Sequence, residues 1–194
     1  MDQTVDIYPV TRDELHKQMQ ACAQTDGQNI LEHGLSVCDH LFDLLNHLEG
    51  KDARYAWKIP PWLTRELYKR EKHRLCDSDT LRLYTTYHDC GKPFCKDGLH
   101  FPAHALYSYH YFNQVFNNPT AAQLILHDMD VHLCKPSNVA NLLQANPNAF
   151  TLLLASLAEI HSNAAMFGGT DSASFKIKWK HIDKVGRNLI AMFV

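Results

Sequence analysis

The sequence predicts an all-α fold in one compact domain. Its 194 residues are 45% hydrophobic and 21% charged, which is the balance of a globular chain that builds its own core. Apolar residues recur at intervals of three and four along most of the chain, and this is the helical period. The 8 glycines and 8 prolines stand mainly between these stretches, where they end helices. We therefore expect residues 1–194 to form a single helical domain.

The first four helices are marked by capping residues, apolar stripes and breakers. Thr11 and Glu14 form a capping box at the start of the first helix. An apolar stripe runs along the second helix, which ends before Gly50. Leu81 and His88 share one face of the fourth. The predicted helices of this half cover residues 11–22, 29–48, 62–73 and 79–89.

The remaining helices are marked in the same way. Pro102 suits the first position of a helix, and Pro119 follows its end. The pair Gly168 and Gly169 ends the long apolar helix. Apolar residues after Phe175 repeat at helical spacing, although SFKIKW also fits a short strand. The predicted helices of this half cover residues 102–116, 120–132, 137–145, 148–167 and 175–193.

Charge and cysteine usage narrow the class of protein. The chain has 19 lysines and arginines against 21 acidic residues, so we expect no electrostatic coating of long nucleic acids and only local contact with a nucleic-acid end. No apolar run approaches the ~18 residues of a membrane span, and the first residues lack the pattern of a signal peptide. The 6 cysteines include no C-x-x-C pair. We expect a cytoplasmic protein with reduced thiols and no membrane contact.

Histidines supply the strongest functional signal. There are 13 of them, and several stand beside carboxylates on different predicted helices. Imidazole and carboxylate groups without thiolates are the ligands that one or two ions of Mn, Fe, Co, Ni or Mg take. The candidate metal ligands, in chain order, are His33, His88, Asp89, His104, His127, Asp128 and Glu159.

Two segments give the chain a resemblance to a known family. ILEHGLSVCDHLFDLL and YHDCGKP resemble the first two motifs of the HD-domain metal-dependent phosphohydrolases. The resemblance covers residues 20–170, with 175–193 as an additional C-terminal helix. It implies a compact all-α HD-domain bundle in which His33, His88 and Asp89 are metal ligands.

The resemblance also implies roles for later residues. His104 and His127 match the additional histidines of members that hold two metals, and Lys92 matches the lysine of the HDxGK variant. The last ligand of the family is an aspartate in a sequence such as LAD, whereas this chain has LAE. We assign that place to Glu159, with Asp128 or Asp130 as alternatives.

These assignments predict a phosphohydrolase acting on phosphomonoesters or phosphodiesters. Asp89 and Lys92 are the expected catalytic residues, and Lys92, His132 and Lys135 the expected substrate-binding ones. His110 and His132 are candidate general acids. The partner is a small nucleotide or a nucleic-acid end, such as an RNA 2′,3′-cyclic phosphate or 3′-phosphate, and the basic segment FKIKWK either guides that end or is a solvated helix face.

Two other classes of function compete with this one. A metal-free HD fold would be a nucleotide-binding sensor without catalysis, and it would carry no metal after purification. A helical interaction protein with incidental histidines would hold His33, His88 and His104 far apart. The sequence does not predict an oligomeric state.

Overall fold

A computed structural model describes residues 7–95 and 104–193, and it confirms the all-α fold. Within these ranges the β-structure consists of one short antiparallel hairpin. No helix in them combines the length and apolar character that a membrane span needs. In chain order the elements are α1 (Arg12–Ala21), β1 (Ala23–Thr25), β2 (Gln28–Asn29), α2 (Ile30–Glu49), α3 (Arg65–Glu71), α4 (Ser78–Tyr87), α5 (His104–Val115), α6 (Pro119–Leu126), α7 (Asp130–Leu133), α8 (Val139–Ala145), α9 (Ala149–Met166) and α10 (Ala173–Ile190).

Side-chain caps fix several helix starts. Thr11 and Glu14 form the predicted capping box of α1. Asn118 accepts the Ala121 N–H at the start of α6, and Ser172 accepts the Phe175 N–H at the start of α10. Each cap satisfies a backbone donor that has no partner inside its helix.

Two predicted helices differ from the structure. Helix 62–73 is shorter: it begins at Arg65 and its end tightens into a 3-10 turn, Lys72–Arg74. Helix 120–132 is two helices, α6 and α7, separated by a turn. The predicted helix over SFKIKW is confirmed, and the alternative of a short strand is wrong. Pro102 lies outside the described residues.

The chain forms two compact units, each described here by itself. The first comprises residues up to Ser36 together with Ser78–Asp128, and in it α6 packs against α4 and α5. The second comprises Val37–Asp77 and residues from Met129 onward, and in it α9 packs against α7 and α10. The single domain spanning residues 1–194 stays a prediction.

Candidate metal centre

A close helix contact in the first unit brings two of the predicted ligands together. Gly34 faces the backbone of α4, and a Cβ atom at this position would lie 2.8 Å from the Thr86 carbonyl carbon and closer still to its oxygen. Only glycine allows that approach. Because His33 precedes Gly34 and His88 follows α4, their rings meet edge to face with centroids 5.2 Å apart.

His88 is held in one tautomer by the end of α4. Its Nδ1 donates a hydrogen bond to the Thr85 carbonyl at 2.8 Å. Nε2 therefore carries the lone pair when the ring is neutral, and it points towards Asp89. A backbone carbonyl bonded to one ring nitrogen is the usual way in which proteins orient a metal-binding histidine.

The Asp89 carboxylate is the centre of the cluster. His33 Nε2 and His88 Nε2 lie 3.6 and 3.4 Å from its Oδ2, and His104 Nε2 lies 3.2 Å from its Oδ1. Asp89 and the three histidines are all buried. We call Asp89, His33, His88 and His104 the histidine–aspartate cluster.

His104 reaches the cluster through a second close approach, between the turn after Asp89 and α5. A Cβ atom at Gly91 would lie 2.7 Å from Tyr107 Cβ. The Gly91 N–H also donates to Ser108 Oγ at 2.8 Å. This contact keeps the first turn of α5, which carries His104, next to Asp89.

Lys92 places a positive charge on the same carboxylate. Its ammonium group donates to Asp89 Oδ2 and, at 3.1 Å, to Gln24 Oε1 on β1. Burial by itself raises the pKa of the Asp89 carboxyl, but the positive charges of His88, Lys92 and His104 together hold that pKa well below its usual value. Asp89 is therefore ionised at neutral pH.

Two other predicted ligands of the first unit have different surroundings. His127 is not inside a helix as expected: it is the C-cap residue of α6, because the helix ends there. Asp128 is buried and accepts the Tyr84 hydroxyl at 2.7 Å. The predicted ligand roles of both residues stay predictions, as does that of Asp130, the first residue of α7.

Glu159 belongs to the second unit, on α9. Its Oε2 accepts from His132 Nε2 at 3.0 Å, and its Oε1 accepts from Asn163 at 3.4 Å. It lines a groove of about 440 Å³ whose other walls are Met129, His132, Leu133, Ile177, Lys178 and His181. Lys135 is exposed beside a 3-10 turn, Pro136–Asn138.

A buried polar cluster in the second unit was not expected from the sequence. The Asp43 carboxylate accepts the backbone N–H groups of Arg54 and Tyr55 and the indole N–H of Trp57. His40 stacks on Tyr55 with ring centroids 3.8 Å apart. The sequence offers one sign of this cluster, which is the spacing of Asp39 and Asp43 four residues apart on α2.

His161 is the other end of this cluster. Its Nδ1 donates to the Leu157 carbonyl and its Nε2 accepts the Lys58 N–H at 3.1 Å. Trp57 packs against the ring with centroids 4.5 Å apart. Burial lowers the pKa of His161 to about 4, so the ring is neutral and serves as a fixed part of the core.

Comparison with known proteins assigns no family: no family model, no curated protein and no solved structure matches the chain. The case for a function therefore rests on the chemistry of the side chains. His33, His88 and Glu159 each offer one nitrogen or oxygen atom of the kind that could hold a metal ion. The first two lie in the first unit and Glu159 in the second.

Proposed function

We propose that this chain is a metal-dependent phosphohydrolase acting on nucleotides or RNA ends. The observation that carries the proposal is the buried Asp89 carboxylate, which has three imidazole nitrogens and the Lys92 ammonium around it. A structural core rarely buries so many ionisable groups around one carboxylate, whereas metal-dependent active sites do so regularly.

The donor set fits a divalent transition metal. Within the first unit, His33, His88, His104 and Asp89 supply three nitrogens and one carboxylate. Mn, Fe, Co and Ni accept such mixed ligands, whereas Mg strongly prefers oxygen. When bound, the ion supplies a Lewis acid for a phosphoryl oxygen and brings the pKa of a water towards neutrality. Glu159 as a further ligand and a second ion at His104 and His127 are part of the proposal.

The side chains of this cluster have distinct tasks in the proposed reaction. Asp89 supplies the negative charge that balances a cation, and the Thr85 carbonyl keeps His88 Nε2 directed at it. Lys92 is a point charge that can pair with a phosphate oxygen, because lysine binds phosphate through charge rather than through fixed geometry. His132 and Lys135 are proposed substrate contacts. Gln24 limits where the Lys92 ammonium can go.

A metal-free nucleotide sensor is the second candidate, and one contact favours it. The Lys92 ammonium already pairs with Asp89 Oδ2, so the carboxylate has a countercharge without any ion. In such a protein Lys92 would be structural, and bound nucleotide would not be hydrolysed.

Metal analysis and a phosphatase screen test the two candidates. The purified protein is analysed for bound metal and assayed with Mn, Co, Ni, Fe or Mg on nucleoside 2′,3′-cyclic phosphates, 3′- and 5′-mononucleotides and an aryl phosphate. We expect a bound transition metal and hydrolysis of at least one of the nucleotides. The enzyme would be refuted if the purified protein bound neither metal nor phosphate. It would also be refuted if the protein bound nucleotide but hydrolysed it with none of these metals.

Variants separate the residues. Asp89→Asn should lose metal and activity together. Lys92→Ala should keep the metal and lose about one to two decades in rate, since a charged hydrogen bond contributes roughly 1.5–3 kcal/mol. The matched control is His73→Gln, an exposed histidine of the second unit, which should change neither quantity. Equal loss of metal in Asp89→Asn and Lys92→Ala would make Lys92 a structural residue.

A further inference from the structure

Positive charge is concentrated on α10, the last helix. The chain as a whole has a net charge of −2, yet this helix carries one acidic residue, Asp183, and five basic ones. The basic residues are Lys176, Lys178, Lys180, Lys184 and Arg187. The helix is therefore unlike the rest of the molecule in charge.

Four of these side chains form one stripe along the helix. Lys176, Lys180, Lys184 and Arg187 fall within about 80° of one another at the helical step of 100° per residue, and all four are exposed. We call these four residues the basic stripe. The opposite face of α10 is buried in the second unit through Phe175, Ile182, Val185 and Leu189.

The spacing along the stripe suits a chain of phosphates. Residues four apart on a helix are separated by about 6 Å along its axis. Each nucleotide of a strand carries one phosphate, so several charges of the same strand can face several residues of the stripe. Two ion pairs of the stripe lie at the surface, Lys176 with Asp171 and Arg187 with Asp183. Solvent screens such pairs, so they give way readily to a phosphate.

The tryptophan beside the stripe has a structural task. Trp179 donates its indole N–H to the Lys58 carbonyl at 2.7 Å, and the Lys58 ammonium lies 4.9 Å from the centre of its ring. The ring is thereby committed to the loop that carries Lys58 and does not stand ready to stack on a base. Recognition at this surface is therefore by charge.

We propose that the basic stripe binds the phosphodiester backbone of a single-stranded nucleic acid. The choice of a phosphate polymer as the ligand rests on the proposed phosphohydrolase function. If the stripe binds such a polymer, the physiological substrate is a nucleic-acid strand rather than a free nucleotide. An anionic membrane is the less suitable partner, because a helix that binds membranes inserts an apolar face, and the apolar face of α10 is buried in its own unit.

The test measures the salt dependence of binding. Binding of a labelled oligouridine of ~12 nucleotides is followed by fluorescence anisotropy between 50 and 200 mM KCl. If about four phosphates are contacted, the slope of log K against log salt should be near −2.8, and affinity should fall roughly 50-fold over this range. Lys180→Gln/Lys184→Gln should halve the slope, and Lys69→Gln/Lys72→Gln, an exposed pair on and just after α3, should leave it unchanged.

Hydrolysis of a mononucleotide by the same variants separates this proposal from the proposed function. The stripe variant should hydrolyse the mononucleotide as the wild type does. If the stripe variant kept the wild-type slope of log K against log salt, the proposed binding surface would be wrong even if hydrolysis persists. Failure of the wild type to hydrolyse any phosphoester would overturn the enzyme and leave the surface standing. Binding to anionic phospholipid vesicles with none to oligouridine would overturn the choice of partner.

Discussion

Replacement of Gly34 by alanine is the most direct test of how the histidine–aspartate cluster is assembled. The new Cβ atom would lie 2.8 Å from the Thr86 carbonyl carbon, whereas ordinary contact begins at 3.4 Å. The carbonyl oxygen of Thr86 lies closer still, so the start of α2 and the end of α4 must separate by more than about 0.6 Å. Thr86 meets the methyl group with its backbone, so no change of rotamer relieves the clash.

Gly34→Ala should both reduce the stability of the fold and disturb the placement of His33. Overpacking of this kind costs about 1–3 kcal/mol, and a rigid backbone neighbour favours the upper part of that range. For a chain of this size each kcal/mol lowers Tm by about 2–4 °C, so Gly34→Ala should lower Tm by roughly 4–12 °C. His33 Nε2, which lies 3.6 Å from Asp89 Oδ2, moves with α2, and a misplacement near 1 Å costs a catalytic or binding constellation about 100-fold.

Thermal unfolding measures the loss of stability, and metal titration measures the loss of metal affinity. Gly27→Ala is the matched control, because Gly27 has φ +88° in the hairpin turn and no atom within 4 Å of an added Cβ. The control should lose ~1–2 kcal/mol through backbone strain and keep its metal affinity. Gly34→Ala with wild-type stability and wild-type metal affinity would refute the close-approach argument.

Three further predictions concern single side chains. Gln24→Ala removes a hydrogen bond to the Lys92 ammonium and should raise KM about 3–10-fold with little change in kcat; steady-state kinetics checks this, and a Gln24→Glu variant that restores KM supports a positioning role. Asp43→Asn should lower the free energy of unfolding by about 1.5–3 kcal/mol at pH 7. Burial raises the pKa of Asp43 but its N–H donors lower it more, so its stabilisation is present above pH ~4 and lost as the pH falls further. Urea unfolding at several pH values should show that the difference in stability between wild type and Asp43→Asn disappears in acid. Glu159→Gln should lower metal content and activity while Asp128→Asn and Asp130→Asn keep both. The reverse pattern in metal analysis would transfer the ligand role to Asp128 or Asp130.

Much of the helical framework is written in local sequence. The Thr11 capping box and the apolar spacing of α2 and α9 depend only on residues within a few turns of each other, and they predicted those helices correctly. The pair of His88 and Asp89 is local in the same way, because the two residues are adjacent and a helix ends just before them. These features follow from backbone geometry and capping, which act over a few residues.

The break between α6 and α7 required the folded chain. LILHDMDV carries a helical pattern without any breaker, so the sequence predicts one continuous helix. In the structure the helix ends at His127, and the buried Asp128 accepts the Tyr84 hydroxyl. A hydrogen bond between residues so far apart in the chain outweighs a local propensity of a few tenths of a kcal/mol per residue.

The sequence by itself determined most of the helices, the adjacency of His88 and Asp89 and the residue types of the cluster. Only the tertiary structure decided that Gly34 and Gly91 are the points of closest approach that bring His33 and His104 to Asp89. It also decided that α7, α8 and α9 are the helices against which α10 packs. Both outcomes depend on which backbones meet, and contacts between distant segments leave no periodic signal in the chain.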